Sequence, residues 1–81
     1  SSDLMNMRIQ IYGKPGCTKC RMTKQLLPKA EYTELQLDDP LFATFRAQGV
    51  LSMPVVQVFD DDNQVVDEWS DFQIDKVKQY Q

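Results

Sequence analysis

Cys17-Thr18-Lys19-Cys20 holds the only two cysteines of the chain, between an apolar strand-like run and a helix-like run. A turn that enters a helix keeps two thiols at this spacing within disulfide reach. It also sets the first thiol at the positive end of the aligned peptide dipoles. A pair placed this way suits repeated oxidation and reduction better than the stapling of a fold.

The rest of the chain alternates strand and helix signals. Met7 to Tyr12 reads as a strand, with Ile9 and Ile11 on one face and Arg8, Gln10 and Tyr12 on the other. Gly13-Lys14-Pro15-Gly16 breaks it, and a helix follows from Cys17 to about Leu27, with Cys20, Thr23, Leu26 and Leu27 near one side. Pro28 ends that helix, because proline lacks the amide a helix interior needs. Tyr32 to Leu37 alternates again, with Leu35 and Leu37 expected on one face. Asp38 or Asp39 can cap a second helix from about Leu41 to Gln48, with Pro40 in its first turn and Leu41, Phe42 and Phe45 pointing inward. Gly49 closes it.

Val55 to Phe59 is a dense β-forming run, and Gln64 to Trp69 is its partner across the polar turn Asp60-Asp61-Asp62-Asn63. A last helix is expected from Asp71 or Phe72 to Tyr80, with Ile74, Val77 and Tyr80 on its buried stripe. The order is β-α-β-α-β-β-α: a parallel β-α-β unit extended by a hairpin, with helices covering the sheet. A chain of 81 residues makes one domain, here residues 7–81, and its modest core suggests two layers. Residues 1–6 read as an expression-tag remnant or N-terminal extension, with a native start at Met5 or Met7.

Charge narrows the function. Residues 1–29 carry six basic and one acidic side chain, and residues 30–81 carry three basic and eleven acidic, for a total of −3. An acidic chain argues against nucleic acid, which rewards a broad basic surface. The basic residues Lys14, Lys19, Arg21 and Lys24 surround the cysteines instead. Arg21 and Lys24 fit a solvated helix face, whereas Lys14 and Lys19 are candidates for stabilising a thiolate. With no histidine, Cys-His proteases, Ser-His hydrolases and most zinc enzymes drop out. Two cysteines complete no common structural zinc site within one chain, so no metal site is expected. The acidic turn lacks the spaced ligands of a calcium loop. No apolar run approaches the roughly 20 residues of a membrane span.

Taken together, the Cys-X-X-Cys after the first strand and Met53-Pro54 before the third resemble the thioredoxin fold, with a four-stranded mixed sheet flanked by three helices. Within it the chain resembles the glutaredoxin branch and, closer still, the NrdH-redoxins. The likeness runs from Met7 to Tyr80. It is carried by Ile9-Gln10-Ile11-Tyr12 with Lys14 and the cysteines, by Arg46-Ala47-Gln48-Gly49 with Met53-Pro54-Val55-Val56, and by Trp69-Ser70-Asp71-Phe72-Gln73-Ile74-Asp75. The departures are Lys19, where glutamine is frequent, Asp71 in place of glycine, and Gln73-Ile74 in place of Arg-Pro.

The resemblance implies a dithiol–disulfide oxidoreductase that carries electrons, with Cys17 as nucleophile and Cys20 as the resolving thiol. It implies a cis Met53–Pro54 bond beside the cysteines, which leaves the Met53 backbone free to pair with an extended peptide. Lys14, Thr18 and Lys19 would flank the substrate, and Trp69, Ser70 and Phe72 would form a neighbouring docking patch. The carrier would bind no cofactor of its own. Thioredoxin reductase, with NADPH and FAD, would reduce it, and it would reduce class Ib ribonucleotide reductase. A monomer in the cytoplasm is expected, since a reactive dithiol without further staples suits a reducing compartment. The alternative is a glutathione-dependent glutaredoxin, against which stands the missing glycine pair after the last strand. A third reading is a non-catalytic binding module on the same scaffold.

Overall fold

In the computed structural model, which describes residues 7–81, the β-forming Ile9 and Ile11 lie in the first strand, β1 (Arg8–Gly13). The chain continues through α1 (Thr18–Leu26), β2 (Glu31–Glu34), α2 (Pro40–Ala47), β3 (Val55–Phe59), β4 (Val65–Ser70) and α3 (Ile74–Tyr80). Residues 1–6, read as a tag remnant, lie outside the described residues. The strands form one mixed sheet in the order β2-β1-β3-β4. β1 and β2 are parallel, while β3 runs antiparallel to β1 and to β4. This is the expected β-α-β-α-β-β-α arrangement.

Helices cover both faces, so the molecule has three layers rather than two. On one face Ile11, Val56, Val58 and Trp69 pack with Leu27 and Val77, which brings in α3 and the end of α1. On the other, Val55 packs with Leu35, Met53, Cys20 and Phe45 of α2, and Tyr12 joins them. Residues 55, 56 and 58 of β3 are all buried, because helices cover both faces of this central strand, and Gln57 is its one polar residue. Gln10, on the face of β1 opposite Ile9 and Ile11, is only 8% exposed. Its amide donates to the Thr33 hydroxyl at 3.0 Å and to the Ile11 carbonyl at 3.1 Å, which satisfies it inside the sheet.

Local chemistry sets the helix limits. Asp39 caps α2 by accepting the Leu41 amide at 2.9 Å, with Pro40 following, a cap that contributes on the order of 1 kcal/mol. Gly49 takes φ +92°, and the Val50 amide returns to the Phe45 carbonyl at 3.0 Å to end the helix. In α1 the Lys24 ammonium donates to the carbonyls of Pro28 and Ala30, at 2.8 and 2.9 Å, so this lysine ties down the turn after its own helix.

Three expectations change. Leu37 does not share the buried face of Leu35, because strand pairing ends with the Leu35 amide on the Gly13 carbonyl and the chain then turns towards the α2 cap; Leu37 is 78% exposed. Leu41 sits in the first turn of α2 and stays exposed, leaving Phe45, with half-buried Phe42, to face the sheet. The last helix begins at Ile74, not at residue 71 or 72, because Asp71 adopts a left-handed φ of +67° that no helix continues. Ile74 is exposed, so Val77 and the half-buried Tyr80 supply the helix's inner stripe.

Candidate functional site

Cys17 is the N-cap of α1, and its sulfur is bonded to that of Cys20 in a disulfide with a Cα–Cα distance of 5.3 Å. The cap is made by sulfur itself: the Cys20 amide donates to Cys17 Sγ at 3.2 Å. When the pair is reduced, a thiolate at Cys17 would receive this bond together with the dipole field of the first turn. Both favour the charged form. Cys20 is wholly buried and Cys17 only partly so, so the two sulfurs differ in access. Thr23, one turn beyond Cys20, is also buried, and its hydroxyl donates to the Lys19 carbonyl at 2.9 Å.

Met53 is buried in the same cluster as Cys20, Pro54 after it is also buried, and the bond between them is cis. The Pro54 carbonyl accepts the Asp71 amide at 2.9 Å, which brings the turn after β4 against the Pro54 loop. Asp71 then reaches Lys19, its carboxylate Oδ1 lying 2.9 Å from the ammonium. The same oxygen accepts the Phe72 amide at 2.7 Å. The Lys19 hydrogen bond, followed by that of the Phe72 amide, holds the Asp71 carboxyl below the usual carboxylate range. Lys19 therefore serves Asp71 and is not a free cation beside the sulfur.

On the other flank, a cleft of about 190 Å³ is lined by Cys17, Lys14, Arg21, Lys24, Tyr32 and Glu34. Lys14 also lines an adjoining groove with Arg46, Leu51 and Met53. Of the basic residues around the cysteines, Lys14, Arg21 and Lys24 thus share the cleft at Cys17, with the Lys24 ammonium held by two backbone carbonyls. Arg21 is exposed, as expected of a solvated helix face, and also lines this cleft. Thr18 is exposed beside it, and Ser70 and Phe72 are half-buried near the end of β4.

Trp69 belongs elsewhere. It is 6% exposed, lies in the opposite core with Val56 and Val77, and stacks on Tyr80 with ring centroids 5.8 Å apart. Packed in this way, Trp69 still lines a surface groove with Ser70, Glu68 and Val50. The inward direction of residue 69 follows from its pairing with Val56 in the β3–β4 register.

Two residues emerge that the sequence reading did not mark. Gly13 lies against the Tyr32 ring and Cys20; a methyl group there would meet Tyr32 Cζ at 2.7 Å and Cys20 Cβ at 3.0 Å. The Tyr32 hydroxyl has its pKa raised, first by burial and then by Glu34, with Arg21 opposing. Parallel pairing of β1 with β2 brings this tyrosine to the cysteines, and no local pattern announces it. Among the described residues, no three His, Cys, Asp or Glu side chains converge to hold a metal ion.

The sheet order, the capped disulfide and the neighbouring cis-proline loop define a thioredoxin-like redox protein of the Cys-X-X-Cys type. Among solved structures, the chain is similar to the glutaredoxin-like protein NrdH-redoxin from Escherichia coli, with 27% identity, a TM-score of 0.66, and coverage of 91% of this chain and 95% of that one. Thioredoxin O2 from Arabidopsis thaliana superposes with a TM-score of 0.60 at 15% identity, over 90% of this chain and 70% of its own. The thioredoxin of Trichomonas vaginalis does so at 0.59 and 17%, over 90% and 74%. These last two share the fold. No family model matches the chain, and no curated protein matches it.

Proposed function

We propose that the protein is a dithiol–disulfide electron carrier. The observation that carries this reading is the Cys20 amide on Cys17 Sγ at the start of α1. In the reduced protein, Cys17 thiolate attacks a substrate disulfide, one half of which leaves as thiolate. Cys20 then loses its proton and attacks Cys17 sulfur, releasing the second half and closing the Cys17–Cys20 disulfide. Burial of Cys20 favours this order, since only Cys17 meets an incoming sulfur. The Met53 backbone would pair with the substrate chain, with Lys14, Thr18, Ser70 and Phe72 flanking it.

Similarity to E. coli NrdH-redoxin, described as glutaredoxin-like with a thioredoxin-like activity profile, supports the choice of partners. Thioredoxin reductase, using FAD and NADPH, recharges the carrier, and class Ib ribonucleotide reductase accepts its electrons. The carrier itself works as a cytoplasmic monomer without a bound cofactor.

The cleft at Cys17 favours one alternative. Lys14 and Arg21 beside the sulfur would suit the carboxylates of glutathione, the reductant of a glutaredoxin. The oxidised protein is therefore offered NADPH with thioredoxin reductase in one assay and glutathione in another. Reduction by the flavoenzyme is expected, and exclusive reduction by glutathione would overturn the choice.

A further inference from the structure

Asp71 is an unusual residue for its place. It holds φ +67°, a conformation that suits glycine and, less readily, asparagine or aspartate. Its amide is bonded to the Pro54 carbonyl at 2.9 Å, and its Oδ1 accepts the Phe72 amide at 2.7 Å, so the carboxylate is fixed from two sides. That oxygen meets Lys19, the only charged residue between the two cysteines, at 2.9 Å. The pair is about half exposed, 56% and 43%, and an ion pair so open to water adds little to stability. Lys19 stands in the first turn of α1, two residues after the N-cap Cys17, and Asp71 neutralises its charge there. Across the sulfur, Lys14, Arg21 and Lys24 line the cleft against the single carboxylate of Glu34, which leaves that flank basic on balance.

We propose that Asp71, acting through Lys19, is a positioning residue that sets the charge selectivity of the carrier, by making the α1–β4 flank of Cys17 neutral and leaving attraction of anionic disulfides to the Lys14–Arg21 flank. This rests on the carrier reading above and adds to it the class of substrate preferred. A substrate whose acidic groups lie on the Lys14 side of its disulfide is accepted. One with carboxylates on the other side meets no unpaired cation there.

The test uses the full chain, reduced with dithiothreitol and desalted, and three small disulfides: anionic glutathione disulfide, cationic cystamine and neutral hydroxyethyl disulfide. In each reaction the probe's S–S bond breaks, its two halves leave as thiolates, and the protein gives up two electrons to form the Cys17–Cys20 bond. In Asp71→Asn, Lys19 is released and one negative charge is lost. The ratio of the rate with glutathione disulfide to the rate with cystamine should rise about three- to tenfold at low ionic strength. It should return towards the wild-type ratio at about 0.5 M salt. Asp71→Gly, which is at ease at this φ, should do the same and guards against a folding defect of the asparagine variant. A ratio unchanged in both variants, or a rise indifferent to salt, overturns the proposal while the carrier reading stands, provided hydroxyethyl disulfide is consumed. Failure of the wild type to react with hydroxyethyl disulfide removes both.

Discussion

The amide of Cys20 points at Cys17 Sγ from 3.2 Å, so one cysteine of the pair caps the helix that carries the other. Capping by an acceptor sulfur becomes stronger when that sulfur is an anion, because hydrogen bonds to charged groups are shorter and stronger than neutral ones. The bond therefore couples the start of α1 to the redox state of Cys17.

Cys17 should be the reactive thiol. Iodoacetamide labelling of the reduced protein, followed by peptide mapping, is expected to modify Cys17 first, with an apparent pKa below the roughly 8.5 of an ordinary thiol. Cys20→Ser should accumulate a mixed disulfide with a protein substrate, and Cys17→Ser should turn over none. Equal trapping by the two variants would reverse the assignment.

Gly13→Ala should destabilise the fold by about 1–3 kcal/mol, the usual cost of overpacking. The added methyl runs into the hydroxyl end of Tyr32 and its ring carbon, and it lies tight against Cys20 Cβ in the core, so Tyr32 must shift. Urea denaturation measures the loss. A variant as stable as the parent would mean that Tyr32 moves aside readily.

Asp67 accepts from the Lys76 ammonium at 2.5 Å and from the Tyr80 hydroxyl at 2.8 Å, joining β4 to α3. Burial works against its charged form, but the hydrogen bonds from Lys76, Tyr80 and the Glu68 amide outweigh this and hold its pKa low. A lowered folded pKa means stability that is complete above the unfolded value of about 3.9 and disappears as pH falls through the folded value. Asp67→Asn should therefore be less stable than the parent near pH 7, by about 1–3 kcal/mol, with the gap narrowing in acid. Melting curves between pH 7 and pH 2 check this; a gap independent of pH would exclude the ionic contribution.

The same cluster acts at alkaline pH with the opposite sign. Burial, then the hydrogen bond to Asp67 and its charge, pushes the Tyr80 hydroxyl up to about 12. A raised folded pKa gives stability that is complete below the unfolded value of about 10 and is lost as pH rises from there through the folded value. Tyr80→Phe should cost about 1–2 kcal/mol at pH 7. It should also show a shallower decline above pH 10 than the parent. Parallel alkaline declines in the two proteins would assign the titration to other groups.

Element order and the reactive pair were legible because both are local. Cys17 to Cys20 is a spacing, Asp39-Pro40 is a cap followed by a proline, and Val55 to Phe59 is a run that only a buried strand tolerates. Three of the differences lie where a local pattern outran the element that carried it. Leu37 continued an alternation after the chain had left the sheet, and Leu41 and Ile74 sit in the first turns of their helices, where the inner face is incomplete. Which face Trp69 turns to depends on its register opposite Val56, which the sequence around it does not reveal.

By itself, the order of residues determined a β-α-β unit with a hairpin, a dithiol at a helix start and a proline before the third strand, since each depends on neighbours within a few positions. Tertiary structure alone decided that Lys19 answers to Asp71, that Gly13 makes room for Tyr32 beside Cys20, and that Gln10 is satisfied inside the sheet. Those relationships join side chains far apart in sequence. They arise only when strand pairing and helix packing bring them within a few ångströms, where hydrogen bonds, charges and steric repulsion act.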